Sequence, residues 1–205
     1  MPQLSKQFSA ACERNQEAIL AQLKIHLATS KAVLEIGSGT GQHAVFFSRH
    51  LPFLNWQTSD RAENHESIQA WIDDADNARV LPPILLDVAQ ENWPIQDVDA
   101  VFTANTCHIM AIQEVAAMFA GVGRILLPKG RMIIYGPFNY DGQFTSESNQ
   151  HFDATLKQSA AHRGIRDIAD IQQYANENGL DLQHDIEMPA NNRLLIFLKN
   201  RQGKE

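Results

Sequence analysis

Residues 33–43, Val-Leu-Glu-Ile-Gly-Ser-Gly-Thr-Gly-Gln-His, run from a short apolar strand into a turn with three alternating glycines, and Glu35 stands two places before the first. Gly37, Gly39 and Gly41 permit positive φ and let backbone approach a ligand with no Cβ in the way, while the residues after Gly41 read as helix. A nucleotide-like ligand suits such a turn. The Gly-x-Gly-x-Gly spacing departs from the Gly-x-Gly-x-x-Gly that seats a pyrophosphate on a helix N-terminus, which argues against NAD or FAD.

Two more acids stand where a nucleoside needs them. Trp56-Gln57-Thr58-Ser59-Asp60 ends a second short strand nineteen residues past Gly41, and a carboxylate there can accept hydrogen bonds from both ribose hydroxyls. Ile84-Leu85-Leu86-Asp87-Val88 reads as a third strand ending in an acid. The Asp87 carboxylate and the following backbone N–H, that of Val88, suit the edge of an adenine.

These strand ends need a frame to hold them. Apolar Ala18, Ile19, Leu23 and Leu27 recur at helical period over 12–27. Strands at 32–36, 55–59, 84–88, 99–104 and 131–136 then alternate with helices at 41–50, 64–74 and 111–121. Such alternation implies right-handed crossovers and a mostly parallel sheet with helices on both faces. A helix near 168–178 precedes two runs, Leu182 to Met188 and Arg193 to Lys199, separated by four residues, which read as an antiparallel hairpin. The expected fold is a doubly wound α/β sheet of seven strands, closed by that hairpin, in a single domain over 1–205. Between strand 131–136 and the last helix, residues 137–167 read as an irregular segment over the carboxyl ends of the strands. It mixes Phe138, Tyr140, Phe144 and Phe152 with small polar residues, which suits a substrate lid.

Composition narrows the classes of partner. The chain has 205 residues, 44% of them apolar, and a formal charge of −7. No basic run tracks a phosphate backbone, so nucleic acid is disfavoured. No stretch reaches the ~20 apolar residues of a membrane helix, and the N-terminus lacks an apolar signal core; a soluble, cytoplasmic protein is expected. Cys12 and Cys107 have neither zinc-site nor disulfide-scaffold spacing and read as reduced thiols. None of the eight histidines stands in a recognisable ligand signature, so no metal is expected.

The glycine turn and the acids at the strand ends resemble class I S-adenosylmethionine-dependent methyltransferases. More closely, the chain resembles the methyltransferase-like 26 type of that class. The resemblance rests on Glu13-Arg14-Asn15, Ser38-Gly39-Thr40-Gly41-Gln42-His43, Leu86-Asp87-Val88, Asn105 with His108, and Tyr135-Gly136-Pro137. It continues through Ser148-Asn149, Phe152-Asp153, Gly164-Ile165-Arg166-Asp167 and Met188-Pro189-Ala190-Asn191-Asn192. Relatives usually have Arg-Asp-Pro where this chain has Ser159-Ala160-Ala161, and Ser-Pro-Trp where it has Met110-Ala111-Ile112. Both departures fall on the expected substrate side.

The resemblance implies S-adenosyl-L-methionine as cofactor and transfer of its methyl group to a small-molecule acceptor. A protein acceptor, or a non-catalytic protein that only binds the cofactor or its demethylated product, also fits these residues. Gly37, Ser38, Gly39 and Gly41 form the cofactor loop. Arg14 with Asn15 closes the methionine end, or is a surface arginine beside a helix cap. Glu35 orients the methionine amino group through water, and His43 bonds the cofactor or caps its own turn. Asn105 and His108 follow the fourth strand on the acceptor side. His108 is the candidate general base, since an unperturbed imidazole titrates near working pH, and Tyr140 is a second catalytic candidate. Asn149, Arg166 and Asn191 are candidates for substrate recognition, with Arg166 beside Asp167 readable also as a salt-bridged helix start.

Overall fold

The computed structural model describes residues 6–75 and 77–200; residues 1–5, 76 and 201–205 of the expected single domain lie outside the described residues. Helix α1 (Ala10–His26) leads into strand β1 (Ala32–Ile36), followed by α2 (Gln42–His50), β2 (Asn55–Asp60), α3 (Ala62–Ala75), β3 (Val80–Leu85) and β4 (Val98–Ala104). Then come α4 (Ile112–Ile125), β5 (Leu126–Gly136), β6 (Phe138–Asn139), α5 (Glu147–Ser159), β7 (Arg166–Asp167), α6 (Ile168–Glu177), β8 (Leu180–Met188) and β9 (Asn192–Lys199). Seven strands form one sheet in the order β3-β2-β1-β4-β5-β9-β8. The first five are parallel, and β9 runs antiparallel to both β5 and β8. This is the expected doubly wound α/β sheet with a C-terminal antiparallel hairpin.

Alternation along the inner strands sends side chains into two separate cores, one on each face, as parallel sheets require. Leu34, Ile36, Val101, Met132, Ile134 and Phe197 meet Val115, Phe119 and Val122 of α4 and Ile171 of α6. Val33, Trp56, Phe102, Ile133 and Ile196 meet Ile19 and Leu23 of α1 and Phe47 of α2. Strand order reverses between β1 and β4, so the crevice beyond their carboxyl ends is the ligand position of an open α/β sheet.

Two sequence expectations are corrected. The third strand spans Val80–Leu85, four residues earlier at its start than 84–88. Its Pro82 and Pro83 lack N–H groups, which is tolerated because β3 is an edge strand paired only with β2, with an irregularity between Gln57 and Ser59. The segment 137–167 is not irregular. It contains the thirteen-residue α5, capped by Ser146 accepting the Asn149 N–H, and the small parallel pair β6–β7. At the hairpin tip Ala190 and Asn191 both take positive φ, 59° and 57°, as a tight right-twisting connection demands.

Gly121 in α4 is a packing position. A Cβ built there would lie 2.0 Å from Cζ2 of the buried Trp93. Gly121→Ala is expected to destabilise the fold by about 1–3 kcal/mol through overpacking, outweighing the ~1 kcal/mol that alanine gains over glycine in a helix. Urea unfolding would show a lower midpoint at unchanged slope; an equal or higher midpoint would mean that Trp93 yields freely.

Candidate functional site

The glycine loop leaves β1 and is held in shape by the end of β2. The Gly37 and Ser38 N–H groups both donate to the Ser59 carbonyl at 3.0 Å, and the Gly39 N–H donates to Oδ2 of Asp60 at 2.7 Å. All three glycines have positive φ: 71° at Gly37, 57° at Gly39 and 95° at Gly41. Their surroundings differ. A Cβ on Gly37 would fall 2.6 Å from Cγ2 of Thr106, and one on Gly41 would fall 2.9 Å from the Ile68 backbone. A Cβ on Gly39 would meet nothing within 4 Å. The loop is therefore packed down at both ends and open at its centre.

Beneath it, Glu35 is 2% exposed. Its Oε2 accepts from Oγ of Ser38 at 3.0 Å and from Nε1 of Trp56 at 3.1 Å. Burial pushes this carboxyl up to about 7 against those two hydrogen bonds, and nearby Asp60 raises it further. The other oxygen of Asp60, Oδ1, accepts from the Arg61 N–H at 2.7 Å and Nδ2 of Asn64 at 2.9 Å. Its carboxylate thus stands at the open centre of the loop, oriented by three donors.

One wall comes from the N-terminal helix. Nε2 of His43, at the start of α2, pairs with Oδ1 of Asn15 at 2.7 Å, and the ring stacks on Phe47 with centroids 5.0 Å apart. Burial lowers the imidazole to about 4, so His43 is neutral and ties α1 to α2. Arg14 is exposed beside it. Gln42 completes the seam, its Oε1 accepting from the Ser9 N–H and, at 3.0 Å, from Oγ1 of Thr40.

The opposite wall is formed by the turns after β3 and β4. Asp87 does not end a strand; it is exposed and opens a turn, its carboxylate accepting from the Ala89 N–H at 3.0 Å, with Val88 half-buried next to it. Asn105 follows β4 with φ 61° and donates its N–H to the Tyr135 carbonyl at 2.8 Å. A non-glycine residue held in that region costs of order 1–3 kcal/mol, and such outliers cluster at ligand sites.

On the expected acceptor side the structure changes several expected roles. His108 is 5% exposed, edge-on to Phe152 with centroids 5.2 Å apart. Burial, reinforced by the charges of Arg166 and Arg163, lowers it to about 4. Its pKa is thus not near working pH, and it is a weak base. The hydroxyl of Tyr140 donates to Oδ2 of Asp185 at 2.6 Å, and burial together with that carboxylate raises its pKa well above the ordinary phenol value. It is anchored to β8 and not poised for proton transfer. Arg166 forms no salt bridge with Asp167. Its Nε donates to the Cys107 carbonyl at 2.9 Å and its Nη2 to the carbonyls of Met110 and, at 2.8 Å, His162. It is thus a clamp on the turn after β4. Asn149 is buried and donates Nδ2 to Oγ1 of Thr145 at 2.9 Å and to the Asn191 carbonyl at 3.0 Å. Asn191 in turn donates Nδ2 to Oγ of Ser148 at 3.2 Å. These two asparagines join α5 to the hairpin tip.

Trp56 and Thr106 shape the loop without having been assigned any site role from the sequence. A buried indole needs an acceptor for its N–H, and a tryptophan four places before Asp60 on the strand beside β1 was the available signal for Trp56. Thr106 carried no comparable signal, because its contact with Gly37 exists only in the folded chain. Both cysteines are free, with burial pushing the Cys107 thiol up to about 12.

The buried carboxyl has a titration consequence. Glu35 ionises near 4.5 when unfolded and near 7 when folded. Its contribution to stability is complete below the lower value and is lost as pH rises through the higher one. Glu35→Gln has the same shape and no charge, and is expected to gain stability relative to the parent across that window. His43 and His108 titrate in the opposite sense but alike in both proteins. Urea midpoints measured across the window test this, and a constant difference between the two proteins would refute it.

Comparison with solved structures places this sheet among class I methyltransferase Rossmann-like structures. The S-adenosylmethionine-dependent methyltransferase SibL, in its apo form, superposes with a TM-score of 0.80 at 21% identity, over 94% of this chain and 56% of that one. An O-methyltransferase family protein from Burkholderia thailandensis gives 0.78 at 16% identity, over 92% and 59%. Human N-acetylserotonin methyltransferase in complex with S-adenosylmethionine gives 0.75 at 14% identity, over 93% and 53%. The chain thus spans little more than half the length of these three proteins, and at such identities the likeness is one of fold. A model of the family described as "Protein of unknown function (DUF938)" matches residues 6–199, and the chain belongs to that family.

Proposed function

We propose that this chain is an S-adenosyl-L-methionine-dependent methyltransferase of the methyltransferase-like 26 type, acting on a small-molecule acceptor. The observation that carries the reading is the open centre of the glycine loop: Gly39 has empty space where a Cβ would sit, while Gly37 and Gly41 are packed against protein. A loop closed at both ends and open in the middle suits a ligand that lies on backbone, and the Asp60 carboxylate stands beside that opening. The residues present fit the nucleoside end of the cofactor.

In this reading Gly37, Ser38, Gly39 and Gly41 line the nucleoside approach, Asp60 accepts the ribose hydroxyls, and Asp87 with the Val88 N–H meets the adenine edge. Arg14 and Asn15 close the methionine end, with the exposed Arg14 guanidinium available to a carboxylate. His43 acts by holding Asn15, and Glu35 by fixing Ser38 and Trp56 beneath the loop. When bound, the cofactor supplies an electrophilic methyl on a sulfonium. The protein's contribution to such an in-line displacement is positioning and exclusion of water, which assigns Asn105 and the segment 137–167 to the acceptor side as a wall and cover.

With its imidazole lowered to about 4 by burial, His108 is a poor proton acceptor, and the Tyr140 hydroxyl is tied to Asp185. This favours an acceptor that is already deprotonated when it reacts. It equally favours the second reading, a protein that binds S-adenosylmethionine or S-adenosylhomocysteine without catalysis.

Calorimetry with S-adenosylmethionine, S-adenosylhomocysteine and NAD tests the cofactor assignment, and release of a labelled methyl to small molecules from a cell extract separates the two readings. Gly39→Val is expected to abolish cofactor binding, because its side chain fills ligand space and not protein space; at φ 57° it also costs of order 1–3 kcal/mol, so circular dichroism must show the variant folded. Gly41→Val should destabilise the fold itself through the Ile68 backbone. Asp60→Asn should weaken binding about ten- to a hundred-fold by removing a charged acceptor. Undiminished affinity in Gly39→Val would refute the loop assignment.

A further inference from the structure

Two arginines without an ion-pair partner among the described residues stand around His108. Arg163 sits in the turn after α5, where its N–H donates to the Ala160 carbonyl and the next N–H, that of Gly164, donates to the His108 carbonyl, both at 3.0 Å. Its Nη1 reaches Oγ of Ser159 at 3.3 Å, but its Nε is buried with no hydrogen-bond partner. Arg166, three residues on, bonds only to backbone carbonyls. Among the described residues neither guanidinium has a carboxylate at ion-pair distance. Asp153 is paired with Lys157 at 2.6 Å, and Asp153 and Asp170 act on Arg166 only through their fields. Along the same rim Phe152 is 40% exposed and Ile109 38% exposed, with Phe152 packed on His108.

A buried charged donor without a partner carries a desolvation cost that a ligand can relieve. The Nε side of a guanidinium presents parallel donors matched to the two oxygens of an oxyanion. The chain as a whole carries a formal charge of −7, so two guanidinium groups acting on His108, whose ring packs on the exposed Phe152, are a local exception with a chemical meaning.

We propose that Arg163 is the oxyanion receptor of the acceptor site, taking the carboxylate or phosphate of a small acid whose apolar body lies against Phe152 and Ile109. The inference rests on the methyl-transfer reading above and deepens it by naming the acceptor class. Because Nε lies below the surface, a ligand that engages it must shift the 160–164 turn. Arg163 is then a specificity-determining residue, while Arg166 holds the turn after β4 in place and adds its field.

The test titrates the full chain with benzoate, phenyl phosphate and the neutral benzamide, with and without S-adenosylhomocysteine, followed by calorimetry. At least one anion is expected to bind more tightly than benzamide, and the tighter of the two identifies the oxyanion. Arg163→Gln should weaken that anion about ten- to a hundred-fold and leave benzamide unchanged. Arg163→Lys, which keeps the charge without the fork, should weaken it less, and circular dichroism checks that each variant is folded. Should Arg163→Gln not fold, Arg163→Lys alone carries the test, with a loss of anion affinity expected. Benzamide binding as tightly as both anions, or anion affinity indifferent to Arg163, would overturn the proposal. Arg163-dependent anion binding in a chain with no affinity for S-adenosylhomocysteine would keep the receptor and remove the methyl-transfer reading. The opposite pattern would remove the receptor alone.

Discussion

The glycine loop can hold its shape only because the end of β2 accepts its N–H groups. Buried backbone donors must find partners, and a loop that turns through three positive-φ residues finds few within itself, the Gly41 N–H on the Ser38 carbonyl at 2.9 Å among them. The Ser59 carbonyl takes two of these N–H groups and the Asp60 carboxylate a third. Ser59 is itself fixed from both sides: its Oγ donates to the Glu35 carbonyl at 2.6 Å, and its N–H donates to Oγ of Ser38 at 3.2 Å. Strands β1 and β2 therefore meet through a closed set of hydrogen bonds at their carboxyl ends. The register that pairs Ile36 with Ser59 is the condition for it.

Burial then sets the chemistry of three titratable groups around the site. Desolvation disfavours charge, so it raises Glu35 and lowers His43 and His108 together. The two histidines are neutral hydrogen-bonding and packing groups near neutral pH. Among the charged groups around the site, the Asp60 carboxylate is held at the glycine loop, while Arg163 and Arg166 act on His108.

The sequence carried the sheet because parallel strands buried on both faces are continuous apolar runs, and because alternating elements leave few topologies. The turn at Gly37, Gly39 and Gly41 was legible because positive φ at glycine is a matter of local backbone geometry, and Asp60 does end β2, whereas Asp87 lies beyond the end of β3. β3 starts earlier than expected because its edge position makes Pro82 and Pro83 tolerable inside a strand. α5 was hidden by its polar composition, although Ser146 as cap and Phe152 with Leu156 at a four-residue interval marked it. The roles of His108, Tyr140 and Arg166 were illegible in principle. Each is set by a partner far along the chain: Phe152 for His108, Asp185 for Tyr140, and the carbonyls of Cys107 and Met110 for Arg166.

The reversed hairpin gives the acceptor side its support. Because β9 runs antiparallel to β5 and β8 antiparallel to β9, the β8–β9 turn returns to the carboxyl edge of the sheet. There the Asn191 carbonyl and amide meet Asn149 and Ser148, while Asp185 on β8 holds Tyr140 and also accepts from Nε of Arg193 at 2.7 Å. At its other end the segment is held by Gly164 on the His108 carbonyl and by Arg166 on the turn after β4. A segment fixed at both ends cannot swing as a free loop. Any opening must be taken up by the turns on either side of α5, and the second of these turns is the one that carries Arg163.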